Sequence, residues 1–399
     1  MSNKIFYLFL LFISISLINN AQVGEKKCLC TLLENTEEND KKVIELAEYV
    51  EASFHEYNID AFIEKFNTST FGDYIVNNNS IEKNDSYTKG FLEGLSKVID
   101  KLPKKIINEM KNGSIYNLIS YQYNIVEQAY YFTFRIYSEE TGINYHDYKV
   151  CSDGDNIMIS DIYIYLTGEH LSETLQRIFL ASRPSKNVIS KLFGVEQDNS
   201  ILIAINAQRL SQEGKFKEAY DKISEVKGKF AKDKFYLILK GNIASQFDHK
   251  LYEENLYEFS KLFPNDPTLY LKQIDYYTLK ENYPMVQEKI DRLIFETEDD
   301  FLNLFKARVY LLEEDYEKSD FHFKYMIENY PDFVESYIGY INSLTYQKRF
   351  DEALKIIDSL IEKGYEKNAL IEFFEEKEED GSNSLELLVE SKAYKKWKN

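Results

Sequence analysis

The chain has 399 residues, 44% hydrophobic and 29% charged, with a mean hydropathy of -0.44, which argues against a protein of many membrane spans. A net charge of -19 repels phosphate backbones and anionic lipid surfaces, which argues against nucleic-acid binding as the main role. Only 6 prolines and 15 glycines favour helices over long disordered linkers, and the length favours two or three domains over one.

Residues 1–21 begin with a single positive charge at Lys4. A continuous apolar run follows from Ile5 to Ile18, and Asn19, Asn20 and Ala21 close the segment. This is the three-part layout of a secretory signal peptide, and the run is shorter than the about 20 residues of a comfortable membrane span. Cleavage after Ala21 is expected to leave Gln22 as the first residue of an exported chain, periplasmic or secreted. Glu25, Lys26 and Lys27 precede Cys28 where a bacterial lipoprotein needs small residues, so no direct lipid anchor is expected. Residues 22–40 read as a tether. In an oxidising compartment Cys28 or Cys30 could pair with Cys151; otherwise the three are free thiols.

An α+β domain is expected over residues 41–180. Lys41 to Phe66 has helical spacing through Val43, Leu46, Ala47, Val50, Phe54, Ile59, Phe62 and Ile63. A second helical pattern runs from Phe91 to Met110. The period then changes to two, and strands are expected at Ile115–Ile125, Tyr130–Tyr137, Tyr145–Val150 and Ile157–Leu166. Turn residues at Glu140–Gly142 and Ser152–Asn156 separate the last three. Helices followed by adjacent antiparallel strands make an α+β domain, with the sheet curled around the helices.

That element order resembles the NTF2-like (cystatin-like, cone-shaped) superfamily. The resemblance implies a conical pocket, used in different members for small-molecule binding, for catalysis or only for dimer contacts. A homodimer through this domain is therefore a further expectation. Asp161 interrupts an apolar strand. In a pocket it would be a general base, as in the ketosteroid isomerases of that superfamily; otherwise it is a hydrogen-bonded or solvent-facing strand residue. The adjacent His146 and Asp147 point to opposite faces of their strand. The five histidines form no metal spacing, and no nucleotide loop, nucleophile elbow or zinc-protease motif is present. No metal, cofactor or catalytic residue is implied.

From about residue 200 the pattern is helical and repeats. Aromatics recur at Phe216, Tyr283, Tyr316 and Phe350, at intervals of 67, 33 and 34, with a degenerate copy near Lys250. Three residues after each aromatic stand Ala219, Val286, Ser319 and Ala353. Twelve residues before those stand Ala207, Ile274, Ala307 and Ile341, with Gly241 in the degenerate copy. This array resembles the tetratricopeptide repeat (TPR). It is expected over residues 200–365 as five copies of two antiparallel helices, starting near 200, 234, 267, 300 and 334. Residues 366–399 read as an acidic linker, Glu375 to Asp380, and a capping helix through Leu385, Leu388, Tyr394 and Trp397.

In TPR proteins the first helix of each copy lines a groove. Carried onto this chain, the groove positions are Gln208, Asn242, Asp275, Arg308 and Asn342, an expected peptide-binding row. A parallel row, Ala204, Ile238, Leu271, Leu304 and Ile338, is packing or groove floor. The sequence thus points to a non-enzymatic exported scaffold that binds a protein or peptide in its array. A small-molecule-binding protein or enzyme using the cone domain is the alternative.

Overall fold

The computed structural model of the chain describes residues 33–76, 85–139, 142–154, 156–182, 200–228, 230–264, 266–377 and 383–399. Residues 1–21, with the expected signal peptide, and both Cys28 and Cys30 lie outside these. Cys151 is buried and free.

The first region packs helices against one antiparallel sheet. Helix α1 (Glu37–His55) starts where the Thr36 side chain accepts the Asn39 N–H, with Glu37, Glu38 and Asp40 on its positive end. Its apolar stripe of Val43, Leu46, Ala47, Val50 and Phe54 is buried. The single helical pattern expected over Lys41–Phe66 is broken: Tyr57 takes a left-handed φ of 56°, and α2 (Ile59–Glu64) restarts at an Asn58 cap. Three more helices follow, α3 (Thr68–Val76), α4 (Ser86–Ile99) and α5 (Lys101–Lys111). Pro103 sits in the first turn of α5, where its missing N–H costs nothing.

The sheet is a meander in the order β1 (Ile115–Asn124), β2 (Ala129–Ser138), β3 (Gly142–Asp153), β4 (Asn156–Ile164) and β5 (Glu169–His170). Arg135 pairs with Tyr145, Phe134 with His146 and Lys149 with Asp161. Helix α6 (Leu171–Ser182) follows. Residues of β2 alternate between two buried faces. Tyr130, Phe132, Phe134 and Ile136 join the core under the helices. Thr133, Arg135 and Tyr137, also buried, face the other way.

What covers that second face is the helical array. Among the described residues five hairpins recur: α7 (Ser200–Gln212) with α8 (Phe216–Ile223), α9 (Lys234–Ser245) with α10 (His249–Leu262), α11 (Pro267–Leu279) with α12 (Tyr283–Thr297), α13 (Asn303–Leu312) with α14 (Tyr316–Asn329), and α15 (Val334–Tyr346) with α16 (Phe350–Glu362). The copy that is degenerate in sequence is a complete hairpin. The small positions do what close helix packing demands, because Ala207, Ala219, Ala307, Ser319 and Ala353 are buried at helix crossings. At Gly339 a Cβ would lie 2.3 Å from the Phe323 ring, so only glycine lets α14 and α15 approach. The end of the array is closed by α17 (Lys367–Glu375), α18 (Glu386–Val389) and α19 (Lys392–Lys398), which bury Phe374, Leu385, Leu388 and Tyr394 against α15 and α16.

Candidate functional site: the first-helix face of the array

Asp161 stands on the same face of the sheet as its pairing partner Lys149, opposite the helix core. It is buried and accepts hydrogen bonds from the Ser172 N–H at 3.2 Å and the Ser172 hydroxyl at 2.5 Å, with the His170 Nδ1 at 3.7 Å. It is thus engaged at the start of α6, on the sheet face away from the helix core where a cone pocket is expected. In that interval, where a cone pocket is expected, aromatic rings fill the space. Phe54 meets Tyr116 edge-on at 4.8 Å, Tyr116 stacks on Phe134 at 4.8 Å, and Phe132 stacks on Tyr148 at 5.1 Å. The Tyr116 hydroxyl reaches His146 Nδ1 at 3.0 Å and the Tyr148 hydroxyl at 2.7 Å.

The groove row meets a different environment at each copy. Gln208 on α7 and Asp275 on α11 are exposed, while Asn242, Arg308 and Asn342 are half-buried. Asn242 Oδ1 accepts a hydrogen bond from Lys272 Nζ at 2.5 Å, and burial lowers the Lys272 amine below its ordinary pKa. Arg308 is committed to the sheet: its guanidinium donates to the Tyr137 hydroxyl at 3.2 Å and to Glu139 at 2.5 Å. The row is thus open at Gln208 and Asp275 and partly covered at Asn242, Arg308 and Asn342. The floor row is apolar packing at Ala204, Ile238, Leu271 and Leu304, all buried, and half-buried at Ile338.

The sheet occupies the first-helix face from the β4 side to the β2 side. Tyr163 donates to Asp266, which also holds Lys234 at 2.5 Å. Gly168, with φ 66°, lies so close to α9 that a Cβ would meet Ile238 at 2.3 Å. Three strands converge on the α12–α13 loop. Ser120 donates to the Thr297 carbonyl at 3.1 Å, Arg135 to Asp299 at 2.5 Å, and Tyr145 to Asp299 at 2.8 Å. Burial pushes the Asp299 carboxyl above its ordinary pKa, and Arg135 pulls against that. The Arg135 guanidinium also lies 3.9 Å from the Phe301 ring centroid, and Tyr137 packs edge-on against Phe301, Phe305 and Phe333.

Two clefts remain open beside this contact. One, of about 390 Å³, lies between Leu166, Asn242, Lys272, Asp275 and Leu279. The other, of about 440 Å³, lies beyond the Arg308–Glu139 pair, between Leu311, Val334, Ile338, Asn342 and Phe373. Phe373 keeps 52% of its surface exposed. The Asn342 side-chain oxygen is buried with no hydrogen-bond partner. Lys272, Glu139 and Phe373 were not evident as groove residues in the sequence. Lys272 carried a faint signal, one place after the floor position Leu271; Glu139 and Phe373 lie outside the repeats and carried none.

No protein-family model matches the chain, and no curated protein matches it. Among solved structures the chain is similar to a MamA protein, at 16% identity and a TM-score of 0.36, over 42% of this chain and 92% of that one. It is also similar to MamA (41 to the end) from Desulfovibrio magneticus RS-1, at 15% identity and a TM-score of 0.36, over 42% of this chain and 95% of that one.

Proposed function

We propose that this chain is a non-enzymatic, exported scaffold that binds a protein or peptide on the parts of its array that its own sheet leaves uncovered. The observation that carries the reading is the division of the first-helix face. Its middle is covered by Tyr137, Glu139 and Arg135, and open clefts with apolar walls and polar groups remain on either side. The engagement of Asp161 by Ser172 and the aromatic filling beneath the strands favour recognition over chemistry in the first domain. An NTF2-like reading of that domain, supported by its helices against one antiparallel meander, fits a role in contact. A homodimer through it would use the helices or the β1 edge, because the array occupies the open sheet face.

The test is affinity capture with the full mature chain from the envelope and culture fluid of its source. A second bait carries Asp275→Lys and Asn342→Lys, one change in each open cleft. A protein retained by the first bait and lost from the second supports the reading. Retention by both at equal level would overturn the assignment of binding to this face.

A further inference from the structure

The cleft at the far end of the array combines three features that point to one kind of occupant. Its walls are apolar, formed by Leu311, Val334 and Ile338, and the Phe373 ring stands half exposed at its edge. Asn342 offers a buried side-chain oxygen without a donor, and an N–H brought to it by a ligand would remove the cost of leaving that acceptor unpaired. Its charge is one-sided. Glu139 is answered by Arg308, but Glu335 in the wall makes no ion pair among the described residues, and Glu372 and Glu376 flank Phe373. Glu375, the next acid of that helix, is already paired with Lys398 at 2.7 Å and adds no free charge.

We propose that this cleft takes an extended segment of a basic partner protein, and the inference rests on the scaffold reading above. A bulky aliphatic or aromatic side chain of the segment enters between Ile338 and Phe373. A main-chain N–H donates to Asn342 Oδ1. Lys or Arg residues on either side meet Glu335 and the acidic edge at Phe373. Charge complementarity selects this occupant over an acidic peptide, which the net charge of -19 also repels. It also disfavours a second copy of the chain, which carries the same charge.

The experiment selects a displayed library of random dodecapeptides on the full mature chain at low salt. Enriched peptides, made synthetically with a fluorophore, are then measured by anisotropy. The expected sequences carry a Leu, Ile or Phe within a few residues of two or more Lys or Arg. Asn342→Leu is expected to weaken them about tenfold while raising Tm by about 1–3 °C, because the unpaired acceptor is gone. Glu335→Lys is expected to weaken them about fivefold and to flatten their salt dependence. Enrichment of acidic peptides overturns the inference. So does binding that is indifferent to Asn342→Leu and Glu335→Lys but lost in Asp275→Lys, although peptide binding by the array would then stand. Failure to enrich any sequence overturns both readings. Self-association in sedimentation that is abolished by Glu335→Lys identifies a second copy as the occupant and overturns the basic-partner assignment.

Discussion

Arg135 on strand β2 and Asp299 between helices α12 and α13 form an ion pair of 2.5 Å, at 2% and 1% side-chain exposure, across 164 residues of sequence. An open repeat array contacts only its sequence neighbours. Here a buried pair joins the sheet to the array, together with the Tyr145, Tyr163 and Arg308 hydrogen bonds.

Removing one partner of a buried ion pair leaves the other charge unanswered, at a cost of about 3–5 kcal/mol. Arg135→Met is expected to lower stability by that amount in urea denaturation, and Asp299→Asn by a similar amount. The double variant Arg135→Met with Asp299→Leu is expected to recover most of the loss. A double variant no more stable than either single one would show that packing at this point, and not charge, dominates.

Gly339 allows no side chain, because its Cβ would lie 2.3 Å from the buried Phe323 ring. Gly339→Ala is expected to cost about 1–3 kcal/mol through overpacking. Exposed Gly90, whose added Cβ meets nothing within 4 Å, is the control. In the middle of α4, Gly90→Ala is expected to stabilise by up to about 1 kcal/mol. Thermal unfolding of the two variants side by side checks the contrast.

Adjacent residues in β3 give opposite pH dependences. Burial lowers His146 from 6.5 to about 3, so the unfolded chain binds the extra proton between those values. Its contribution to stability is complete above pH 6.5 and falls as pH drops, by about 1.4 kcal/mol per unit at most. Burial raises Asp147 from 3.8 to about 6, against a hydrogen bond of 2.7 Å from Thr133. Its contribution is complete below pH 3.8 and is lost as pH rises to 6. The two slopes oppose each other between pH 4 and 6. Stability measured against pH in that window is expected to become more alkali-favouring in Asp147→Asn and more acid-favouring in His146→Phe. Parallel profiles for the wild type and both variants would refute the buried neutral imidazole and the buried carboxyl together.

Intact mass of protein purified from the envelope or culture fluid is expected to correspond to a chain starting at Gln22. Thiol alkylation of native protein should leave buried Cys151 unlabelled until denaturant is added. A mass that retains residues 1–21 would remove the export proposal.

Much of the fold was legible because it depends on local periodicity. The helical hairpins follow from small residues spaced one repeat apart, and the strands from runs of Tyr, Ile and Phe. The weak copy was legible in Gly241, where a Cβ would meet Asn255 at 2.4 Å, more than in its missing aromatic. The break at Tyr57 was hidden, since Ile59, Phe62 and Ile63 keep apolar spacing on both sides of it. The candidate site was far less legible. Arg308 sits at a groove position by spacing, yet what it meets is Glu139, set by how the sheet lies on the array. Nothing local to Arg135 announces its partner, because Asp299 lies 164 residues along the chain.

The strands also act as a gauge laid along the repeats. Tyr163 of β4 is matched to Asp266, Tyr145 of β3 to Asp299, and Tyr137 of β2 to Arg308. Strand spacing is fixed by backbone hydrogen bonds, at about 4.8 Å. Inserting or deleting one hairpin within this span would therefore misalign every later pairing at once. Solenoids commonly lengthen and shorten by whole units; in this chain the copy number between Lys234 and Phe333 is locked by a ruler that the array does not itself encode.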